Sequence, residues 1–137
     1  MTNKLARKSF TSHLQSVKRD AATGRFLMLS PKDIKTTWAA RFAGDEIDSL
    51  VIPKRTLARR NARNEELSQE ETDKALRLAR IATEADRVFA NSKKADSWLR
   101  TPLARLSGHS PLELLKSEAG AQIVEEILGQ IDHGMFA

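Results

Sequence analysis

Apolar positions along this chain recur at spacings of three and four residues, and no alternating run extends beyond a few residues. That periodicity predicts an all-α fold. The clearest run sets Ala75, Leu78, Ala82, Ala85 and Phe89 at successive spacings of 3, 4, 3 and 4. Just ahead of it, Ser68-Gln69-Glu70-Glu71 fits a capping box, in which the Ser68 and Glu71 side chains satisfy each other's free N–H groups. Together they predict a long helix over about residues 69–90, a spine joining the two halves of the chain.

Shorter elements flank this helix. Ser30-Pro31 reads as an N-cap followed by proline at the first helical position, and Ile34, Trp38 and Phe42 then form one apolar stripe that ends near Gly44. A short acidic helix is expected from Asp45 to Ser49, and another starting at Pro53 and running to about Asn64. Beyond the long helix, Ala95, Trp98 and Leu99 mark an amphipathic segment stopped by Thr101-Pro102. Gly108 and Ser110-Pro111 then punctuate a loop and restart a helix carrying Leu112, Leu114 and Leu115. A closing helix near 118–132 places Ile123, Ile127 and Ile131 at i, i+4 and i+8 beside Val124 and Leu128. Gly134 is its stop, and Met135, Phe136 and Ala137 form a short apolar tail. Residues 1–25 hold only Phe10, Leu14 and Val17 at helical spacing, too few to anchor a stable helix, so a flexible basic arm is the expectation there.

Charge changes the picture. The net +5 is unevenly spread: residues 1–64 carry 14 Lys/Arg against 5 Asp/Glu, whereas residues 65–137 carry 9 against 13. A cationic excess confined to one half is the electrostatic footprint of a polyanion binder. A domain that is basic only for solubility stays open at this point. With 137 residues, 40% of them hydrophobic, the chain suits one domain or two helical subdomains. It has no cysteine, so neither disulfides nor thiolate metal sites are available. No stretch approaches the roughly 20 apolar residues that a membrane helix needs. Lys4, Arg7 and Lys8 mimic the start of a signal peptide, but Ser9, Thr11, Ser12, His13 and Gln15 interrupt any apolar segment behind them. The expected location is cytoplasmic.

Little in the sequence points to catalysis. His13, His109 and His133 are far apart and lack metal-type partners at i+3 or i+4. A nucleophile elbow and a glycine-rich phosphate loop are missing, and the pairs Glu70/Glu71 and Glu125/Glu126 are adjacent and so diverge on a helix. These groups read as solvated helix faces, with His133 complementing a helix C-terminus. The expectation is a non-enzymatic protein without a metal or cofactor of its own.

The informative segment is residues 53–64, with five cations and no acid. On a helix Arg55, Thr56, Arg59, Arg60 and Arg63 fall within an arc of roughly 140°, leaving Leu57, Ala58 and Asn61 opposite. Such a face suits a DNA major groove, where arginine chelates guanine edges or holds phosphates. Lys54, Arg55, Thr56, Arg59, Arg60 and Arg63 are therefore the candidate DNA-binding residues. With the two preceding helices they complete a trihelical, helix-turn-helix-like unit, although Leu50-Val51-Ile52 lacks the glycine often found in that turn. A solvated basic helix, or one that docks on an acidic protein, remains open.

Several separated motifs resemble a known family. Ala95-Asp96-Ser97-Trp98-Leu99, Thr101-Pro102, Leu106-Ser107-Gly108, Ser110-Pro111-Leu112-Glu113-Leu114-Leu115 and Gly120-Ala121 resemble the C-terminal domain of Xre/MbcA/ParS-type antitoxins, found in RES–Xre type II toxin–antitoxin systems. Val124, Leu128, Ile131, His133 and Gly134 fit the same pattern. Lys54-Arg55-Thr56-Leu57-Ala58-Arg59-Arg60, Leu67-Ser68 and Asp73-Lys74-Ala75-Leu76-Arg77-Leu78-Ala79-Arg80 resemble the family's Xre-like domain. The resemblance covers about residues 50–137.

Beside the flexible basic arm already expected over 1–25, it implies an Xre-like DNA-binding and dimerisation region over 26–90 and a toxin-binding domain over 91–137. It implies a RES-domain toxin as partner, with an ADP-ribosyltransferase-like fold and NAD belonging to the toxin. The antitoxin's tail would block the toxin's active site, which puts Ile131, His133, Gly134, Met135, Phe136 and Ala137 at the contact. Trp98 and Leu99 would hold the domain together. It also implies autoregulation, with a homodimer or a higher-order toxin–antitoxin complex on promoter DNA. The competing reading is a stand-alone DNA-binding regulator whose C-terminal half only dimerises.

Overall fold

The computed structural model describes residues 9–15 and 28–134, and every regular element among them is helical. The chain divides into two compact units, Met1–Ala79 and Arg80–Ala137, and the division falls inside its longest helix. No described helix is long and apolar enough to cross a membrane.

In the first unit, residues 10–15 are helical (α1). Element α2 starts as an α-turn over Pro31–Asp33 and continues directly as a π-helical turn over Ile34–Trp38. Its start is built as the sequence predicts. Ser30 Oγ accepts from the Asp33 N–H at 3.2 Å, Asp33 Oδ2 accepts from the Ser30 N–H at 2.9 Å, and Pro31 takes the position whose N–H has no partner to lose. The wider turn closes with the Ala39 N–H on the Ile34 carbonyl at 2.9 Å, and it buries Ile34, Thr37 and Trp38 together. Phe42 completes the expected stripe.

Helix α3 spans Gly44–Leu50, one residue longer at each end than expected, and Glu46 accepts from the Ala43 N–H at 2.8 Å. Helix α4 spans Lys54–Ala62. Pro53 is its N-cap rather than its first helical residue, and the cap is supplied across the turn by Asp48, which accepts from the Lys54 N–H at 2.7 Å. The connecting Leu50, Val51 and Ile52 are all buried, so this turn is held by apolar packing where a glycine-containing turn would rely on backbone freedom. Helix α4 packs against both α2 and α3, completing a trihelical unit.

Helix α5 spans Gln69–Phe89, and both hydrogen bonds of the Ser68–Glu71 capping box are present, at 2.8 and 3.1 Å. Ala75, Leu78, Ala82 and Ala85 are buried as the periodicity predicts, and Phe89 is half-buried.

Residues 10–15, within the segment expected as a flexible arm, are helical and pack on the aromatic stripe. Phe10 sits edge-on to Trp38, with centroids 5.1 Å apart, and stacks on Phe42 at 6.0 Å. His13 is buried against Trp38 at 5.0 Å, sharing a 3.4 Å hydrogen bond with Thr37 Oγ1. The rings of Trp38 and Phe42, four residues apart, supply the binding surface that the segment's own few apolar residues do not.

In the second unit, α6 spans Ser92–Arg100, capped by Asn91, whose side chain accepts from the Lys94 N–H at 3.0 Å. Two 3₁₀ turns follow, Ala104–Leu106 and Leu112–Lys116, and then α7 over Glu118–Asp132. The closing helix thus takes the predicted bounds, but its buried face differs in part. Gly120, Ala121, Val124, Ile127 and Leu128 are buried, Ile131 is half-buried, and Ile123 is 45% exposed. Counting 100° per residue places Ile123 about 40° beyond Ile127, just outside the edge of the arc shared by Val124, Ile127 and Leu128.

Candidate functional site

The basic helix α4 presents a different face from the one its composition suggests. Lys54, Arg55, Ala58, Arg59, Asn61, Ala62 and Arg63 are exposed, whereas Thr56, Leu57 and Arg60 are half-buried. At 100° per residue the exposed set fills a continuous arc of roughly 200°, with Thr56, Leu57 and Arg60 filling the remainder. Leu57 docks as expected. Ala58 and Asn61 turn outward, and Thr56 and Arg60 turn toward the protein, because the helix must present one face to α2 and α3.

Arg60 therefore parts company with its neighbours. Its Nε lies 2.8 Å from Glu71 Oε1, its Nη2 donates to Glu71 Oε2 at 3.2 Å, and its Nη1 donates to Glu65 Oε2 at 3.4 Å. The Arg60 side chain is only 18% exposed. Burial disfavours the Glu71 carboxylate, but the Ser68 N–H and the Arg60 guanidinium outweigh it and hold the Glu71 pKa below the usual glutamate value. Arg63, by contrast, is 67% exposed and only 3.9 Å from Glu65 at its nearest. No ion pair among the described residues engages Lys54, Arg55 or Arg59. Across the exposed arc Ala58 and Ala62 lie between Lys54 on one side and Arg55, Arg59 and Arg63 on the other, with Asn61 at the edge beside Lys54. Chemically this surface admits a polyanion to close approach and meets it with guanidinium groups.

The second candidate surface surrounds the end of α7. Its N-terminus is set by Ser117, which accepts from the Gly120 N–H at 3.0 Å. Gly120 packs so closely on the preceding 3₁₀ turn that a Cβ there would collide with the Leu114 carbonyl oxygen. The helix stops in the predicted way: Gly134 takes a left-handed φ of 72°, and its N–H donates to the Ile131 carbonyl at 3.0 Å. His133 closes the end as expected, its Nδ1 meeting the Gly129 carbonyl at 2.7 Å. Asp132 is tied to Arg87 at 3.0 Å, and Glu84 joins the same guanidinium at 2.6 Å. Hydrogen bonds to Glu84 first, then Asp132, raise the Arg87 pKa above its ordinary value. Arg80 holds the other end of α7 through Glu118 at 2.7 Å and Glu125 at 3.2 Å. Ile131 is half-buried, and His133 and Gly134 are exposed. Met135, Phe136 and Ala137 lie outside the described residues.

The core beneath is the one expected of Trp98 and Leu99. Leu99 is buried, and Trp98 packs on Phe89 with ring centroids 5.6 Å apart. His109 meets Glu113 at 2.8 Å on the surface, and that hydrogen bond lowers the Glu113 pKa. Among the described residues no cluster of three or more His, Asp or Glu side chains is placed to hold a metal ion.

Two features escape sequence reasoning. Glu71 as the partner of Arg60 is separated from it by eleven residues and was already accounted for as a helix cap. Ile123 carries the same apolar signal as its buried neighbours, and only the packed face tells them apart.

A trihelical unit with a cationic outward helix and a small helical unit in the same chain define an all-helical protein. Residues 84–134 match the Antitoxin Xre/MbcA/ParS C-terminal toxin-binding domain. The chain is 40% identical over 84 residues to Antitoxin Xre of Pseudomonas putida, a match covering 61% of this chain and 53% of the relative. It therefore spans about half the length of that protein. It is 33% identical over 101 residues to Antitoxin Xre of Yersinia enterocolitica, covering 73% of this chain and 68% of the relative. It is 30% identical over 120 residues to a Prs ADP-ribosylating antitoxin of a Sphingobium species, covering 80% and 76%. The chain belongs to the Xre/MbcA/ParS family of antitoxins.

Proposed function

We propose that this antitoxin binds and neutralises a RES-domain toxin, that its C-terminal segment from Ile131 to Ala137 blocks the toxin's active site, and that it represses its own operon through α4. In this reading residues 91–137 form the toxin-binding domain and residues 26–90 the DNA-binding and dimerisation region. The observation that carries the toxin half is the match of residues 84–134 to a toxin-binding domain. The name of the Sphingobium relative supports a toxin of ADP-ribosyl-transfer chemistry, for which NAD is the donor. The capped end of α7 supports the blocking role, because it launches the tail from a fixed point at His133 and Gly134. An apolar Met135-Phe136 pair suits a pocket on a partner better than water.

The exposed arc of Lys54, Arg55, Arg59 and Arg63 supports the DNA half. A homodimer would set two such helices on the half-sites of an inverted repeat. Expressing the chain with a RES toxin encoded beside it tests the proposal. The full chain should restore growth and co-purify with the toxin, and a chain truncated after Ile131 should fail to restore growth. Rescue by the truncated chain would exclude the blocking role of the tail.

A further inference from the structure

Of the cations on the basic helix, Arg60 alone is turned inward, and its carboxylate partners Glu65 and Glu71 belong to the junction between α4 and α5. Helix α4 ends at Ala62, and Asn64 takes a left-handed φ of 54°. That turn lets the Glu65 N–H donate to the Arg60 carbonyl at 2.8 Å while the Asn64 N–H donates to the Asn61 carbonyl at 3.3 Å. The Arg60 main chain thus closes α4, and its side chain reaches over the turn to Glu65 and on to Glu71. Glu71 is in turn fixed by the Ser68 N–H at 2.8 Å, in the first turn of α5. The path from Arg60 through Glu71 to Ser68 joins the end of one helix to the start of the next, with the central pair only 18% and 15% exposed.

We propose that Arg60 is a positioning residue: its clamp on Glu71 sets the pose in which α4 presents Arg55, Arg59 and Arg63, and it takes no phosphate itself. The inference rests on the DNA reading of α4 and refines it. A guanidinium held side-on by one carboxylate and touched by a second has its charge compensated within the protein, so few counterions are released through it on DNA binding. The unclamped arginines keep that capacity.

Glu71→Gln separates the clamp from the cap. Glutamine retains the carbonyl oxygen that the capping box requires, but it loses the charge that holds Arg60. Binding of the folded full-length chain to a duplex from its own upstream region, measured across a salt series, gives the test, with Arg60→Gln, Glu71→Gln, the double variant and Arg59→Ala compared. Arg60→Gln and Glu71→Gln should each weaken binding by about fivefold at an unchanged salt slope, and the double variant should be no weaker than either alone. Arg59→Ala should lower the slope by about one. Hydrogen exchange over residues 54–62 of the free protein should quicken in both clamp variants. A slope that falls in Arg60→Gln as it does in Arg59→Ala, with Glu71→Gln binding normally, would make Arg60 a phosphate contact and overturn the proposal. Unchanged affinity and exchange in both clamp variants would overturn it as well. Failure of the wild-type chain to bind any duplex would instead remove the DNA reading, and the proposal with it, whatever the exchange data showed.

Discussion

The indole N–H of Trp38 donates to the main-chain carbonyl of Ala75 across 2.9 Å, fastening α2 to the first half of α5. Both residues are fully buried, so the bond forms away from water, where an unpaired N–H is costly. Phe10 and His13 cover the same indole. Trp38→Phe keeps an aromatic ring but removes the donor and some volume, and should lower stability by about 2 kcal/mol. Urea unfolding checks it; a loss below a few tenths of a kcal/mol would show that the bond contributes little.

Gly120 is required by proximity, not by its backbone angles. The Leu114 carbonyl occupies the place of any Cβ at this position, and a backbone atom does not yield as a flexible side chain does. Gly120→Ala should therefore destabilise the second unit by about 3 kcal/mol, although alanine is the better helix former by about 1 kcal/mol. Gly129 has open space at the corresponding point, so Gly129→Ala serves as the control and should be neutral or stabilising. Thermal melts of the two variants decide the matter.

Replacing both Arg55 and Arg59 with alanine should weaken promoter binding and reduce the slope of log K against log salt by about 1.8, as expected for two lost phosphate contacts. Both side chains are exposed, so the fold should be unaffected. An unchanged slope would move the DNA-binding surface elsewhere on the protein.

The Glu71 pair gives stability a defined pH dependence. Because the folded chain holds the Glu71 pKa below its unfolded value, ionised Glu71 contributes stability above the unfolded pKa, and the contribution is lost as pH falls through the folded value. The melting temperature of the wild-type chain should therefore drop more steeply than that of Glu71→Gln between roughly pH 5 and pH 3. Above that window the variant should be the less stable of the two. Parallel curves would show that the pair adds nothing to stability.

Much of the fold is legible in the residues, since helix starts and stops are local events. Ser30 with Pro31, Ser68 with Glu71, and His133 with Gly134 each act within four residues, and each does in the structure what its type predicts. The candidate site is less legible. A helical wheel places Arg60 among the outward cations, and only the packing of α4 on α2 and α3 turns it inward. Ile123 reads as core by spacing and lies on the surface because the neighbouring turn accepts a different arc of α7.

What the sequence determined by itself, then, is the helical class, the caps, the concentration of positive charge in the first half, and the motif series that marks the family. All of these rest on composition or on residues a few positions apart. The tertiary structure decided which cations on α4 face solvent, that Phe10 and His13 are docked on Trp38, and why position 120 must be glycine. The first two depend on contacts between residues distant in the chain and the third on how the turn at Leu114 folds back onto α7, and periodicity carries no information about which partner will occupy the far side of a helix.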